Sequence, residues 1–211
     1  MQLIGMLDSP YVRRVAISLQ LLGLPFEHRS ISVFRGMAQF REINPVIKAP
    51  SLVCDDGTVL MDSSLILQYA EAQPARRRSL MPAGAAELRQ SLHVIGLALA
   101  ACEKSVQVVY EHHVRPPEKL HAPWLERVTD QMQTACRALE LLLAQAPWPV
   151  DSAGIDQAGL TSAVVWQFIQ RTMPQRVPAS EFPALGAHSA RAEALPEFIA
   201  APHGETTYRP A

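Results

Sequence analysis

Cysteine is scarce in this sequence and odd in number, with Cys54, Cys102 and Cys136 far apart. Three widely spaced thiols build no disulfide framework and lack the paired spacing of a zinc site. A reducing, cytoplasmic setting suits such a chain. An excess of charge of either sign is also missing, because 19 basic residues stand against 20 acidic ones for a formal net charge of −1. No global field therefore draws the chain toward nucleic acid or an anionic membrane. The one basic cluster, Arg76-Arg77-Arg78, reads as a solvated linker. Long apolar runs are absent too: the longest uninterrupted one, Val94 to Cys102, has about half the length a bilayer crossing requires. The opening MQLIGMLDSP has no basic flank and carries Asp8, so it reads as a first strand and not as a secretory signal.

What is present is enough apolar material, 48% of 211 residues, to bury a core in one or two domains. Gln2 to Met6 is a short apolar run. After Asp8-Ser9-Pro10, residues Val12, Val15, Ala16, Leu19 and Leu22 recur at helical spacing, and Gly23-Leu24-Pro25 ends the helix. Phe26 to Ile31 predicts a second strand, giving a β-α-β unit whose crossover is one helix. Beyond Asn44-Pro45, two short apolar runs, Ser51 to Cys54 and Thr58 to Met61, flank Asp55-Asp56-Gly57, a strong hairpin signal. Ser63 to Glu71 then predicts a helix with Leu65, Ile66 and Tyr69 on one face. This order of elements is that of a thioredoxin-like fold.

Periodicity fails from Gln73 to Gly84, which reads as an interdomain linker. Beyond it the pattern is helical throughout. Leu92, Ile95, Leu99, Cys102, Val106 and Val109 form one stripe, and Trp124, Val128, Met132, Ala135, Leu139, Leu142 and Ala146 another. The Pro116-Pro117 break between them predicts an antiparallel helix pair. Asp156 is placed to cap a third helix, with Ile155 and Leu160 at the spacing of a hydrophobic staple. A last helix is predicted from Pro183 to about Leu195. The expected fold class is therefore α/β plus all-α, with a thioredoxin-like domain over 1–74, a linker over 75–84 and an all-helical domain over 85–211.

Three short segments carry chemistry. Ser9-Pro10-Tyr11-Val12 resembles the Cys-Pro-Tyr-Cys redox site of glutaredoxins with both thiols replaced, which excludes dithiol chemistry there. A serine hydroxyl remains at a helix N-terminus, where N–H groups and the helix dipole favour an anion. Simple capping explains the same serine, and the two roles are compatible because a capping hydroxyl accepts through oxygen and still donates its hydrogen. Lys48-Ala49-Pro50 runs straight into a strand. Asp62-Ser63-Ser64 opens a helix, where a serine and fresh N–H groups suit a carboxylate and the Asp suits an ammonium. Capping again explains these residues taken alone. His112-His113, with His93 and His121, completes no metal-ligand set, since adjacent histidines diverge by about 100° on a helix. No metal is expected.

The succession of Ser9-Pro10-Tyr11-Val12-Arg13-Arg14-Val15, Ile43-Asn44-Pro45, Lys48-Ala49-Pro50, Asp56-Gly57 and Asp62-Ser63-Ser64-Leu65-Ile66-Leu67-Gln68-Tyr69 resembles the N-terminal half of bacterial glutathione S-transferases, and the resemblance extends through the helical half. The resemblance implies a cytoplasmic, homodimeric detoxification enzyme with glutathione as co-substrate and a small hydrophobic electrophile as acceptor. It implies that Ser9 donates a hydrogen bond to the glutathione sulfur. The backbone of Ala49 beside a cis Pro50 would hold the cysteinyl unit, Asp62 and Ser63 the γ-glutamyl end, and Lys48 the glycyl carboxylate. Leu7, Tyr11, Val106 and Tyr110 are the expected co-substrate contacts. This sequence departs from the family in carrying Ala49 where valine is usual and Asp62 where Glu or Gln is usual. It also keeps a helix cap at Asp156 without the reciprocal acid of a capping box. Two other readings stand beside the transferase: a non-catalytic binding protein on the same fold, and a glutathione-dependent isomerase, peroxidase or dehalogenase.

Overall fold

The computed structural model describes residues 1–209. The chain divides into two compact units, the first formed by Met1–Pro82, Asp151–Ala153 and Glu193–Ala211, the second by Ala83–Val150 and Gly154–Ala192. The stretch from Glu193 onward, whose pattern in sequence is simply helical, thus belongs to the first unit.

The first unit holds β1 (Gln2–Ile4), α1 (Pro10–Leu22), β2 (Glu27–Arg29), α2 (Met37–Ile43), β3 (Ser51–Val53), β4 (Val59–Met61) and α3 (Ser63–Glu71). The sheet order is β2-β1-β3-β4, with β1 parallel to β2 and antiparallel to β3, and β3 antiparallel to β4. Leu3 stands opposite both His28 and Leu52, so the buried central strand fixes the register of its two neighbours. This is the thioredoxin-like arrangement. The strands at both ends of the β-α-β unit are shorter than the apolar runs predict, because Gly5 turns away at φ +135° and β2 pairs only as far as Arg29. Phe40 of α2 closes a small core with Ile4 and Ile31.

Ser9 caps α1 and Pro10 occupies its first turn. Gly23, at φ 71°, ends the helix in the left-handed conformation, with its N–H donating to Gln20 O and Leu19 O. Every residue of α1 except Tyr11 and Gln20 is buried, Arg13 and Arg14 included. Arg13 makes a forked pair with Glu193 at 2.6 and 2.7 Å and donates from Nε to Ala201 O at 2.7 Å. Its guanidinium also lies 5.6 Å from the centre of the Phe198 ring, which belongs to α8 (Pro196–Ala200). The predicted last helix is therefore two: Pro183–Glu193 ends early, and Leu195 becomes the extended residue before α8. α3 also differs in detail. Its buried face is Ser63, Ile66, Leu67 and Ala70, at true helical spacing, while Leu65 is 59% exposed. The face predicted from Leu65, Ile66 and Tyr69 is therefore rotated: Ile66 is buried, but Leu67 takes the inward place expected of Leu65 and Tyr69 is only half-buried.

The arginine run after α3 is exposed at Arg76 and Arg77 and half-buried at Arg78, and it is tied down at two points. The Arg77 amide donates to Leu22 O at 2.8 Å, and Arg78 Nη1 donates to Ala153 O at 2.8 Å. Residues 205–208 lie along β2: the Tyr208 ring stacks on Phe26 at 4.6 Å and Ser30 Oγ donates to Glu205 O. His28 joins this segment to the sheet. The Tyr208 N–H donates to His28 Nδ1 at 2.9 Å, and His28 Nε2 donates to Gly5 O at 2.7 Å. That pair of bonds requires a neutral ring.

The second unit is built on α4 (Ala85–His113), α5 (Ala122–Gln145), α6 (Gln157–Thr172) and α7 (Pro183–Glu193). α4 packs against both α5 and α6. It is long and apolar enough, by length and composition, to cross a membrane. The predicted α5 stripe is buried at Val128, Met132, Ala135 and Leu139 and exposed at Trp124 and Ala146, whereas the predicted α4 stripe is buried only at Ile95 and Cys102, because the face of α4 turned inward runs through Val94, Ala98, Ala101, Ser105 and Val108 beside them. Asp156 caps α6 by accepting from the Gly159 amide at 2.8 Å, with Ile155 and Leu160 fully buried beside it. Burial pushes the Cys136 thiol up to about 12. Among the described residues no three His, Cys, Asp or Glu gather as a metal-holding group, and His112 Nε2 accepts from Arg176.

Two outcomes follow from the packing around α1 and β2. Glu193→Ala leaves the Arg13 charge buried beside carbonyls alone and lowers unfolding free energy in urea by about 3–5 kcal/mol. Burial lowers the His28 pKa below its ordinary value, with the Gly5 carbonyl opposing. The stability from its neutral ring is therefore complete above about pH 6.5 and is lost as pH falls toward the depressed value. Protection of the amides of residues 205–208, their exchange rate compared with an unstructured chain at the same pH, falls over that acid range in the native chain. In His28→Gln that acid-dependent loss of protection disappears.

Candidate functional site

The first unit brings together, at the ends of its elements, most of the residues singled out in the sequence. Ser9 is half-buried, and its Oγ accepts from the Val12 amide across a long 3.4 Å. A hydroxyl that accepts in this way keeps its hydrogen to donate. The approach to Ser9 is set by Gly5, where a Cβ would lie 2.6 Å from Val12 Cγ2 and 3.1 Å from Ala49 Cβ. Glycine is required here on two counts, its φ and the close passage of Ala49. The turn that carries Ser9 is thereby held against the segment that carries Pro50.

The Ala49-Pro50 bond is cis. The preceding loop is organised by Asn44, a buried residue whose Nδ2 donates to Ser51 Oγ at 2.8 Å and whose Oδ1 accepts from the Val46 amide at 3.0 Å. Ser51 Oγ in turn donates to Lys48 O at 2.8 Å, so one short network fixes the backbone on both sides of Ala49 and Pro50. Within it Ile47 has φ 54°, an unusual value for a β-branched residue.

Asp62 is the second backbone outlier, at φ 71° and ψ 124°. Conformations of this kind cost about 1–3 kcal/mol and cluster where side chains must be aimed. The Asp62 carboxylate accepts from the Ser64 amide at 2.9 Å through Oδ1, and its Oδ2 lies 3.7 Å from Lys48 Nζ. Both partners of that ion pair are about half exposed, so it is worth little and yields easily to a ligand. Ser63, by contrast, is only 3% exposed, at the first position of α3. Its Oγ lies 3.1 Å from Arg14 Nη1, which also reaches Ser64 Oγ at 3.3 Å.

Next to Ser9, desolvation raises the Asp8 carboxyl above its ordinary value. The Ser9 amide lowers it in part, the Glu205 carboxylate raises it again and Arg35 lowers it. Arg35 and Glu205 are themselves an exposed ion pair.

Of the expected co-substrate contacts, Leu7 is fully buried and offers no surface to touch, whereas Tyr11 is half-buried in the first turn of α1. Val106 is half-buried and Tyr110 exposed, both on α4 in the second unit. Asn44 and Arg14 are the residues to which sequence reasoning gave no role. Each had a trace there: Asn44 as the residue before Pro45, and Arg14 as one of two charges inside the apolar stripe from Val12 to Leu19.

Residues 3–78 match the glutathione S-transferase N-terminal domain family. A GST-like protein of Escherichia coli K12, YibF, is 26% identical over 177 residues, which is 82% of this chain and 85% of that protein. Among solved structures, a glutathione S-transferase from Methylobacterium radiotolerans in complex with glutathione sulfonate superposes with a TM-score of 0.86 at 26% identity, covering 97% of this chain and 96% of the other. A glutathione transferase family member from Pseudomonas fluorescens Pf-5 with bound glutathione gives 0.81 at 27% identity, over 100% and 98% of the two chains. Residues 3–78 thus carry a glutathione S-transferase N-terminal domain, and the chain, with its thioredoxin-like sheet and cis proline, is similar to glutathione S-transferases along almost its whole length.

Proposed function

We propose that the chain is a glutathione transferase that attacks a small hydrophobic electrophile with the glutathione thiolate. The observation that carries this reading is that one unit holds, at the ends of its elements, the Ser9 hydroxyl capping α1, the cis Ala49-Pro50 bond and the Asp62-Ser63 start of α3. The two relatives solved with glutathione or glutathione sulfonate bound support the same ligand here.

A cysteinyl thiol with an ordinary pKa of about 8.5 is about 3% thiolate near neutral pH, and the thiolate is the nucleophile. A bound thiol at about 6.5 is roughly three-quarters ionised. That shift needs about 2.7 kcal/mol of preference for the anion. One hydrogen bond from Ser9 to a charged sulfur contributes about 1.5–3 kcal/mol, and the N-terminus of α1 adds up to about 1–2 kcal/mol. No general base is required.

In this reading the Ala49 backbone beside Pro50 lies along the cysteinyl unit as an extended partner. Asp62 takes the γ-glutamyl ammonium and Ser63 its carboxylate. Lys48 leaves its weak pair with Asp62 to meet the glycyl carboxylate. The electrophile meets Tyr11 in the first turn of α1. The enzyme works in the cytoplasm as a homodimer. Val59, Met61 and Leu65, exposed together on the edge strand β4 and on α3, supply an apolar contact for a second copy.

Two measurements test the reading. Ser9→Ala lowers conjugation of a reactive aryl halide by roughly 10- to 100-fold, the equivalent of one charge-assisted hydrogen bond. It also returns the bound thiol toward its solution pKa, followed by thiolate absorbance against pH. If rate and pKa are both unchanged, Ser9 does not hold the sulfur. In sedimentation, Leu65→Arg shifts the assembly toward monomer, and a mass unchanged from the native dimer would remove α3 from the contact.

A further inference from the structure

We infer that His28 is a positioning residue for the Ser9 hydroxyl: its imidazole ties the backbone at the end of β1 to the segment 205–208 and so fixes the loop that delivers Ser9 to the glutathione sulfur. The inference rests on the proposed thiolate chemistry and deepens it.

The sheet stops just short of that loop. The Gly5 amide donates to Arg29 O at 3.1 Å and takes the last backbone bond that β2 offers. The Gly5 carbonyl lies beyond the ladder, yet Gly5 is buried, and a buried carbonyl needs a donor. His28 Nε2 supplies it at 2.7 Å. A carbonyl held in this way fixes the plane of its own peptide bond, the one that leads into Met6. Met6 O then accepts from the Ser9 amide at 3.2 Å. Only Met6, Leu7 and Asp8 separate Gly5 from Ser9, and Met6 and Leu7 are 8% and 0% exposed. So short and buried a loop has little slack to absorb a turn of the Gly5 peptide. Gly5 is also pressed between Val12 and Ala49, so its displacement is felt on both sides of the site.

A neutral imidazole has one hydrogen, and the nitrogen that holds it decides whether Gly5 O is satisfied. The Tyr208 amide, a donor only, lies 2.9 Å from Nδ1 and makes that nitrogen the acceptor. Nε2 is left with the hydrogen that Gly5 O receives. Segment 205–208 thus selects the tautomer. It is held in turn by the Tyr208 ring on Phe26 and by Glu205, whose main-chain oxygen accepts from Ser30 and whose carboxylate pairs with Arg35. Glu205 also lies near enough to Asp8 for its charge to raise that carboxyl. The segment therefore reaches the loop at both ends, through His28 at Gly5 and beside Asp8 at the residue before Ser9.

The test compares, on the intact chain, His28→Leu, which removes both ring bonds, with His28→Gln, whose amide keeps a donor for Gly5 O and an acceptor for Tyr208. Three quantities are read: kcat with a reactive aryl halide, the pKa of bound glutathione from thiolate absorbance, and the affinity for S-methylglutathione, which has no thiol to ionise. His28→Leu lowers kcat by about 10-fold, the scale of one hydrogen bond, and raises the bound thiol pKa by roughly half a unit to one unit. Its affinity for S-methylglutathione stays within about 2-fold of native, because the rest of the tripeptide is held elsewhere, at Ala49 and at the start of α3. His28→Gln returns kcat and thiol pKa most of the way to their native values. A folded His28→Leu with native kcat and thiol pKa overturns the role of His28 alone, as does one that loses affinity for S-methylglutathione by the same factor as kcat. Equal impairment in the Leu and Gln variants also overturns it. If His28→Leu does not fold, His28→Asn takes its place: the shorter amide falls short of Gly5 O, and a kcat equal to that of His28→Gln overturns the role. A native protein that binds no glutathione, or leaves the bound thiol at its solution pKa, removes the functional reading and this inference together.

Discussion

A helix that is buried on nearly every side and still carries two guanidinium groups sets the terms for the first unit. Removing such a cation from water costs several kcal/mol unless acceptors meet it. Arg13 and Arg14 are neighbours on α1 and so face different ways, and each gathers a different part of the chain. Arg13 draws in Glu193 and the carbonyls of Phe198 and Ala201. Arg14 meets the two serines that open α3. The sheet supplies the frame. These two charges decide which other segments close upon it.

The candidate site combines firm and yielding contacts. The Asn44, Ser51 and Lys48 carbonyl network, the close passage of Gly5 past Ala49 and the Arg14 bonds to α3 are short and shielded. The Lys48–Asp62 pair is long and half exposed. A site built this way keeps its hydrogen-bonding directions fixed before a ligand arrives and surrenders only a weak surface interaction on binding. Preorganised donors of this kind act without reorganisation when charge develops on a reacting atom.

Much of the architecture was legible because the signals that specify it are local. The Ser9 cap, Pro10, Gly23, the Asp56-Gly57 turn and the Asp156 cap are each a residue type doing the one thing its covalent structure favours, and the elements begin and end where those residues stand. The cis bond at Pro50 was accessible only through family resemblance, since a proline is compatible with either isomer. Long-range choices were hidden. Which of Leu65, Ile66 and Leu67 turns inward depends on what α3 packs against, and Leu7 is core because β1 and α1 close over it. A buried arginine looks like any other arginine in a sequence. The roles of Asn44 and Arg14 depend on partners 7 and 49 residues away, and no periodicity encodes those distances.

The return of Glu193 and the segment after it to the first unit bears on how the protein is made. A ribosome delivers residues 1–82 early, but the acceptors that satisfy the Arg13 guanidinium emerge only after all of α4, α5, α6 and α7 have been synthesised. Until then a charge destined for the interior has no counterpart, and the thioredoxin-like half waits, incompletely closed, for more than a hundred residues of nascent chain. A fragment ending at the interdomain linker would lack those acceptors altogether, and would carry Ser9 on a helix whose buried cation has no partner.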